Sequence, residues 1–304
     1  MKHLAARVQS VNEKGKNFTA PGLGDRIHLI TAAYCYSNAN NVEVTLHLSR
    51  DKKEGHKLNS FFEIINLFPE NSIKIEFHDY NGGIETEWIG YLNAKGIDAK
   101  LFSYNDHLGR FETKSEIDIS EYLKEIPLLA TPKLSKEPPL PIKFITTQWD
   151  STAKSRTLSQ KEKDKVLQNY KRLGYEIITL GGESRDPLLK SDILSAAFAI
   201  TKSDYFVGVD SGFMHLALLY KPIDNIHLYN EPKGFWSHHL LRAIDNGCKI
   251  NLYYKKISLV DYLRIKLVYD NARAYKAINK NHRISKFLYS SKILKQIFKA
   301  QIGK

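Results

Sequence analysis

Cysteine is scarce in this 304-residue chain, where Cys35 and Cys248 are the only two. They form no metal-ligand spacing, and their contexts resemble buried helix and strand-end positions, which suits a reducing compartment. No apolar run reaches the length of a membrane span, and the N-terminus lacks an apolar signal core, so the expected location is the cytoplasm. Acidic side chains are missing from one region altogether. From Asn271 to Lys304 there are nine Lys/Arg and no Asp or Glu, so this last ninth carries most of the formal net charge of +12. Such an excess points to an anionic partner: nucleic acid, a phosphorylated substrate or an acidic membrane surface. What is plentiful excludes global disorder, since 42% of the residues are hydrophobic and 11% aromatic, and a chain of this length accommodates two ordinary domains.

The first half alternates between strand and helix patterns. Residues 3–10 and 16–20 suggest short strands around the turn-like Asn12-Glu-Lys-Gly15. Pro21-Gly-Leu-Gly-Asp25 then leads into an apolar stripe at Ile27, Ile30, Ala33 and Tyr34, which predicts a helix over 26–38. Gly22 and Gly24 allow close approach of a ligand to the backbone. Asp25 falls in the first helical turn, where the helix dipole favours its ionised form; a carboxylate there serves equally as a simple cap. Alternation at Val42, Val44, Leu46 and Leu48 predicts a strand, followed by helix 58–68, strand 73–77, helix 84–93 and strand 99–102. The connections suit a parallel, doubly wound sheet. His47, His56, His78 and His107 make no i, i+4 pair with a carboxylate in the manner of a zinc site, and are expected on the surface or in loops.

Five of the ten prolines fall between Ile126 and Pro141, a stretch that cannot form a helix or central strand and reads as a linker. The alternation then restarts. Strand 142–147 ends in Thr146 and Thr147; the capping-box spacing Ser159-Gln-Lys-Glu162 opens a helix that Gly174 stops; strand 175–180 runs into Gly181-Gly-Glu183; and residues 188–201 form a helix. Next comes Tyr205-Phe-Val-Gly-Val-Asp-Ser-Gly-Phe-Met-His215: a short apolar strand, a sharp turn at Asp210, Ser211 and Gly212, and a new helix containing His215. The last strand, 225–229, precedes Asn230-Glu231. Four successive strands thus end in small or polar residues, which implies a crevice lined at the carboxyl edge of a sheet. A helix N-terminus there suits a phosphate-bearing ligand.

The early Gly24-Asp25 turn and the late Gly208-Val-Asp-Ser-Gly-Phe-Met-His-Leu-Ala217 turn resemble the heptosyltransferase-like glycosyltransferases of family nine. Phe144-Ile-Thr-Thr147 with Lys154 or Arg156, and Ile178-Thr-Leu-Gly-Gly-Glu183, are similar to two further motifs of that family. The resemblance spans roughly residues 17–235. It implies a GT-B architecture, two Rossmann-like doubly wound domains facing a central cleft, here with a basic helical C-terminal extension. The corresponding boundaries are 1–126 for the acceptor side, 127–141 for the linker, 142–260 for the nucleotide-sugar side and 261–304 for the extension.

The activity implied is inverting transfer of a sugar from a nucleotide diphosphate donor to a hydroxyl of a glycan or glycolipid, lipopolysaccharide or another surface polysaccharide included. Carried over, Asp25 is the general base. Thr146, Thr147 and Lys154 or Arg156 contact phosphate, Glu183 the nucleoside, and Asp210, Ser211, Gly212 and His215 hold the diphosphate. No cofactor or obligatory metal is expected, and no Asp-x-Asp occurs in the chain. Two departures stand out: Gln148 to Ala153 separate the threonines from Lys154, and Arg26-Ile-His28 replaces the small, proline-bearing run usual after the early motif.

From residue 261 onward, basic residues alternate with Tyr, Phe, Ile and Leu. This predicts either an interfacial helix docking on the inner face of an anionic membrane, beside a lipid-linked acceptor, or a helix packed on the domains with a solvated basic face. Two rival functions are a nucleotide-sugar epimerase or hydrolase of the same fold, and a nucleic-acid binder using this tail. Nucleic acid is the weaker partner, because a tail-driven binder has no use for the strand-end motifs.

Overall fold

The computed structural model describes residues 1–7, 10–11, 18–19, 23–50, 63–69, 72–80, 85–103, 116–123, 128–149, 158–209 and 211–229. Gly22, His56, His107, Lys154, Arg156, Asp210, Glu231, Cys248 and the basic extension lie outside them. Met1–Leu252 forms one compact unit and Tyr253–Lys304 a second.

Among the described residues, eleven short strands carry the fold. They are β1 (Lys2–Arg7), β2 (Ser10–Val11), β3 (Phe18–Thr19), β4 (Val44–Arg50), β5 (Ile73–Asp79), β6 (Ala99–Ser103), β7 (Ile117–Asp118), β8 (Phe144–Gln148), β9 (Glu176–Thr179), β10 (Tyr205–Gly208) and β11 (Ile226–Leu228). The helices between them are α1 (Leu23–Asn40), α2 (Glu85–Ala94), α3 (Ile119–Tyr122), α4 (Gln160–Arg172), α5 (Pro187–Ser191), α6 (Ile193–Lys202) and α7 (Gly212–Tyr220). Apart from the small antiparallel pair β2–β3, two parallel sheets result, ordered β5-β4-β1-β6-β7 and β11-β10-β8-β9. In chain order the first is 3-2-1-4-5 and the second 2-1-3-4, both doubly wound orders in which the strand sequence reverses beside the first strand.

Local chemistry accounts for the helices. Ile27, Ile30 and Ala33 are buried as the stripe predicts, and α1 stops at Asn41, which takes the left-handed φ of 50° that Asn tolerates. Ser159 N–H donates to the Glu162 carboxylate at 3.0 Å, so the capping box opens α4. Gly174, at φ 81°, follows its end. The single helix expected over 188–201 is in fact two. Asp192 interrupts it, its carboxylate accepting from the N–H groups of Leu194 and Ser195 and so capping α6. The short β7 and α3 were not expected from the sequence.

The first sheet is covered on both faces. Ala5, Ala99, Trp88 and Leu92 cluster on the α2 side; Phe102, which points the opposite way from its neighbours, meets Tyr36 of α1 edge-on at 6.3 Å. This double cover corrects the expectation for two histidines. His47 is 1% exposed on the inner strand β4, and His78 stands half-buried on the edge strand β5. Burial pushes the pKa of His47 down to about 4 and lowers that of His78, so both rings are uncharged at neutral pH. The Glu76 carboxyl pKa is lowered as well, but by its hydrogen bond with Lys74, which favours the charged form.

Candidate functional site

In the second sheet the strand order reverses between β8 and β10, the position where a doubly wound sheet opens a crevice. The chain ends converge there tightly. A Cβ on Gly208 would stand 2.4 Å from the Gln148 carbonyl oxygen, so only glycine lets β10 leave the sheet so close to β8. Gly181, at φ 72°, turns the chain out of β9, and a Cβ there would meet the Phe213 ring at 3.0 Å. The ends of β8, β9 and β10 therefore gather at the first turn of α7.

Ser211 precedes α7 in extended conformation and its side chain makes no cap hydrogen bond. Its hydroxyl, like that of Thr147 at the end of β8, is buried without a hydrogen-bond partner among the described residues. An unpaired buried hydroxyl costs roughly 1–3 kcal/mol, and that of Ser211, beside the unsatisfied N–H groups of the α7 N-terminus, is what an oxyanion ligand would satisfy. Thr147 pairs with Val207 on the face of β8 that carries Ile145 and Trp149 toward α4. Thr146 is differently placed. Its hydroxyl lies 3.1 Å from that of Ser203 and 3.4 Å from the Tyr205 carbonyl, so it serves the sheet itself. Glu183 ends the 3₁₀ turn after β9 and is bound by Lys163 of α4 at 3.0 Å.

The early motif comes to the same place. The first turn of α1 abuts the first turn of α7: a Cβ on Gly24 would lie 2.5 Å from His215 Cδ2, and one on Gly212 would lie 2.6 Å from Leu23 Cβ. The His28 ring meets the His215 ring edge-on, with centroids 4.0 Å apart. Both imidazoles are buried. Asp25 follows Gly24 directly, as the third residue of α1. Sequence reasoning thus found both turns but missed three residues that shape the site. Leu23 and His28 carry no signal beyond their place in the motif, and Gln148 stands in the stretch that separates the threonines from Lys154.

Elsewhere, an open depression of about 340 Å³ is lined by Ser37, Asn38, Asn41, Val42, Glu43 and Ser72. It sits at the far end of α1, a helix of 18 residues and hence about 27 Å long. The Ser37 hydroxyl there is already spent on the Val42 and Ser72 carbonyls, so the depression offers little to a ligand.

No family model matches the chain, and no curated protein matches it in sequence. Solved structures do. The ADP-heptose lipopolysaccharide heptosyltransferase II of E. coli matches with a TM-score of 0.50 at 11% identity, over 84% of this chain and 92% of that one. A glycosyl transferase family 9 protein from Veillonella parvula matches at 0.41 and 13% identity, over 75% and 80% of the two chains. The iron-containing dodecameric glycosyltransferase TibC of enterotoxigenic E. coli matches at 0.46 and 13% identity, over 75% of this chain and 57% of its own. The chain thus spans a little over half of TibC. At 11% identity the likeness to the E. coli heptosyltransferase II is one of fold alone: a mixed α/β chain with parallel sheets.

Proposed function

We propose that the chain is an inverting glycosyltransferase that moves a sugar from a nucleotide diphosphate donor to a hydroxyl of a glycan or glycolipid acceptor. The observation that carries this reading is the meeting of two glycine turns. The N-termini of α1 and α7 abut through Leu23, Gly24, Gly212 and His215, beside the buried Ser211 hydroxyl, which has no hydrogen-bond partner among the described residues. A diphosphate seated there gains the α7 N–H groups and the Ser211 hydroxyl, with Thr147 of β8 as a further donor, a preorganised cradle for the charge that develops on the leaving group. Each such donor is worth about 3 kcal/mol of transition-state stabilisation. Asp25, on the neighbouring helix, is the base that takes the acceptor proton. His215 supports the diphosphate, Lys154 or Arg156 neutralises it, and Glu183 reaches the nucleoside once it gives up Lys163. On this reading the leaving group is balanced without a metal.

The proposal divides the chain into an acceptor-side domain (1–126), a linker (127–141), a donor-side domain (142–260) and a basic extension (261–304). The extension docks on an anionic membrane surface next to a lipid-linked acceptor. No helix among the described residues is long and apolar enough to cross a membrane.

The deciding experiment is a thermal-shift screen against ADP-, GDP-, UDP- and CMP-sugars, since a ligand that binds the folded state raises its apparent stability. The sugar that shifts Tm is then used in transfer assays. Asp25→Ala abolishes transfer while nucleotide affinity stays within a few-fold of wild type. Turnover by the alanine variant at the wild-type rate would remove Asp25 from the base role, and a screen with no shift from any nucleotide sugar would remove the donor site.

A further inference from the structure

We propose that His47, Glu76 and His78 form a binding site for a divalent first-row transition-metal ion, with His3 orienting His47. The site lies on the α2 side of the first sheet, and the inference does not depend on the transfer reaction.

Strand register creates the cluster. His47 of β4 is paired with Glu76 of β5, and Ser49 with His78, so all four residues project from one face. Ala5 of β1 is the neighbour of His47 on the other side, which places His3 on that face too. From His47 Nδ1, His78 Nε2 is 2.9 Å away and Glu76 Oε2 is 3.5 Å away. One donor atom from each of the three residues falls within 4.8 Å of the others. Ligand atoms bound at about 2.0–2.2 Å in a tetrahedral site are about 3.3–3.6 Å apart, so the two pairs at His47 need only a few tenths of an ångström, and a rotation of the Glu76 carboxylate brings it toward His78.

A chain of hydrogen bonds, His78 Nε2–H to His47 Nδ1 at 2.9 Å and His47 Nε2–H to His3 Nδ1 at 2.8 Å, satisfies the three rings but leaves Glu76 Oε2 facing the His47 Nδ1 lone pair at 3.5 Å. A cation among the three would convert converging lone pairs into ligand bonds. The His47 Nε2–H donating to His3 would then fix the tautomer and ring plane, as partners of metal-bound histidines commonly do. Around the cluster, the Thr45 and Ser49 hydroxyls and the Trp88 indole N–H are buried with no hydrogen-bond partner among the described residues. Trp88 stands 5.6 Å from the His78 ring. The site is therefore polar and under-satisfied on more than one side. Glu76 is about one-third exposed, with a side-chain value of 36%, which leaves a way in for an ion and water. Two imidazoles and a carboxylate suit zinc and ferrous iron alike.

The test uses the full chain after treatment with a chelator. Co²⁺ is titrated in and read by its d–d absorption; Zn²⁺ and Fe²⁺ then compete, and metal analysis of protein purified without chelator distinguishes the two. We expect one Co²⁺ per chain and a Tm that rises with added Zn²⁺. His78→Gln and Glu76→Gln should each weaken binding more than tenfold, and His3→Ala about tenfold. Lys74→Met, which frees Glu76 from its ammonium partner at 2.6 Å, should bind at least as tightly as wild type and shows that a change on this face is tolerated. Absence of stoichiometric Co²⁺ absorption in the wild-type chain, or wild-type affinity in either the His78 or the Glu76 variant, would overturn the assignment.

Discussion

Gly24→Ala tests the contact on which the candidate site depends. The new methyl carbon would lie 2.5 Å from His215 Cδ2, about 1 Å inside the usual carbon–carbon contact of roughly 3.5–4.0 Å. His215 has no easy way out, being 3% exposed and packed against the His28 ring at 4.0 Å. The helices must separate or the ring must leave its rotamer, and overpacking of this kind costs about 1–3 kcal/mol. Alanine's better helix propensity offsets at most about 1 kcal/mol of that. The net loss is therefore about 1–2 kcal/mol, read as a lower urea midpoint with an unchanged slope. In a His215→Ala background the clash is gone, and Gly24→Ala should become neutral or stabilising by up to about 1 kcal/mol. The coupling energy of the cycle is then about 1–3 kcal/mol. Additive effects, to within about 0.5 kcal/mol, would mean that the two helix ends do not touch as described.

Thr147→Val replaces a buried hydroxyl that has no partner among the described residues with a methyl group. We expect unchanged or raised Tm together with about tenfold weaker nucleotide-sugar binding by calorimetry; a loss of stability would show that the hydroxyl has a structural partner. Lys221 is buried at the end of α7, its ammonium donating to the Thr201 carbonyl at 3.1 Å and to that of Ser203. Lys221→Met strands those carbonyls and should cost about 2 kcal/mol in denaturant unfolding. His227, on β11, has its pKa lowered by burial. A group that resists protonation when folded contributes no penalty above its unfolded value near 6.5, and stability falls as pH drops below that value. His227→Gln should flatten this slope in thermal melts between pH 7 and 5.

The order of strands and helices was legible because each element carries its own period and its own punctuation. Ser159 and Glu162 announced α4, and glycines marked the turns after β9 and β10. The histidine cluster was not legible, for a physical reason. A metal site on a helix shows itself as i, i+4 spacing, whereas His47, Glu76 and His78 meet through the register of two parallel strands separated in sequence. Alternation along β4 also misled. His47, between Leu46 and Leu48, is expected at the surface, but a doubly wound sheet is covered on both sides, and Thr45, His47 and Ser49 are each 1% exposed. His28 was lost in a similar way, since α1 packs on the first sheet and on α7 together. The break at Asp192 shows the reverse case, a side chain that joins an apolar pattern but caps whenever its carboxylate reaches the next turn.

The pairing of helix ends also has an electrostatic consequence. Each N-terminus carries about half a positive charge, and α1 and α7 bring two of them together at Gly24 and Gly212. Such an arrangement is self-repulsive until an anion joins it. Asp25 is the third residue of α1, and we expect its carboxylate to supply part of that charge from the chain itself. A carboxylate at this position stabilises a helix by about 0.3–1 kcal/mol at low ionic strength. Asp25→Asn should therefore lower stability by about that amount in dilute buffer, and the deficit should shrink in 1 M salt, where the screening length falls to about 3 Å. Inorganic pyrophosphate should recover it, because a bound anion replaces the missing charge at the same helix ends. If Asp25→Asn proves more stable than wild type at low salt, or if pyrophosphate leaves both proteins unmoved, the two helix ends do not form an anion site and the diphosphate must be held elsewhere.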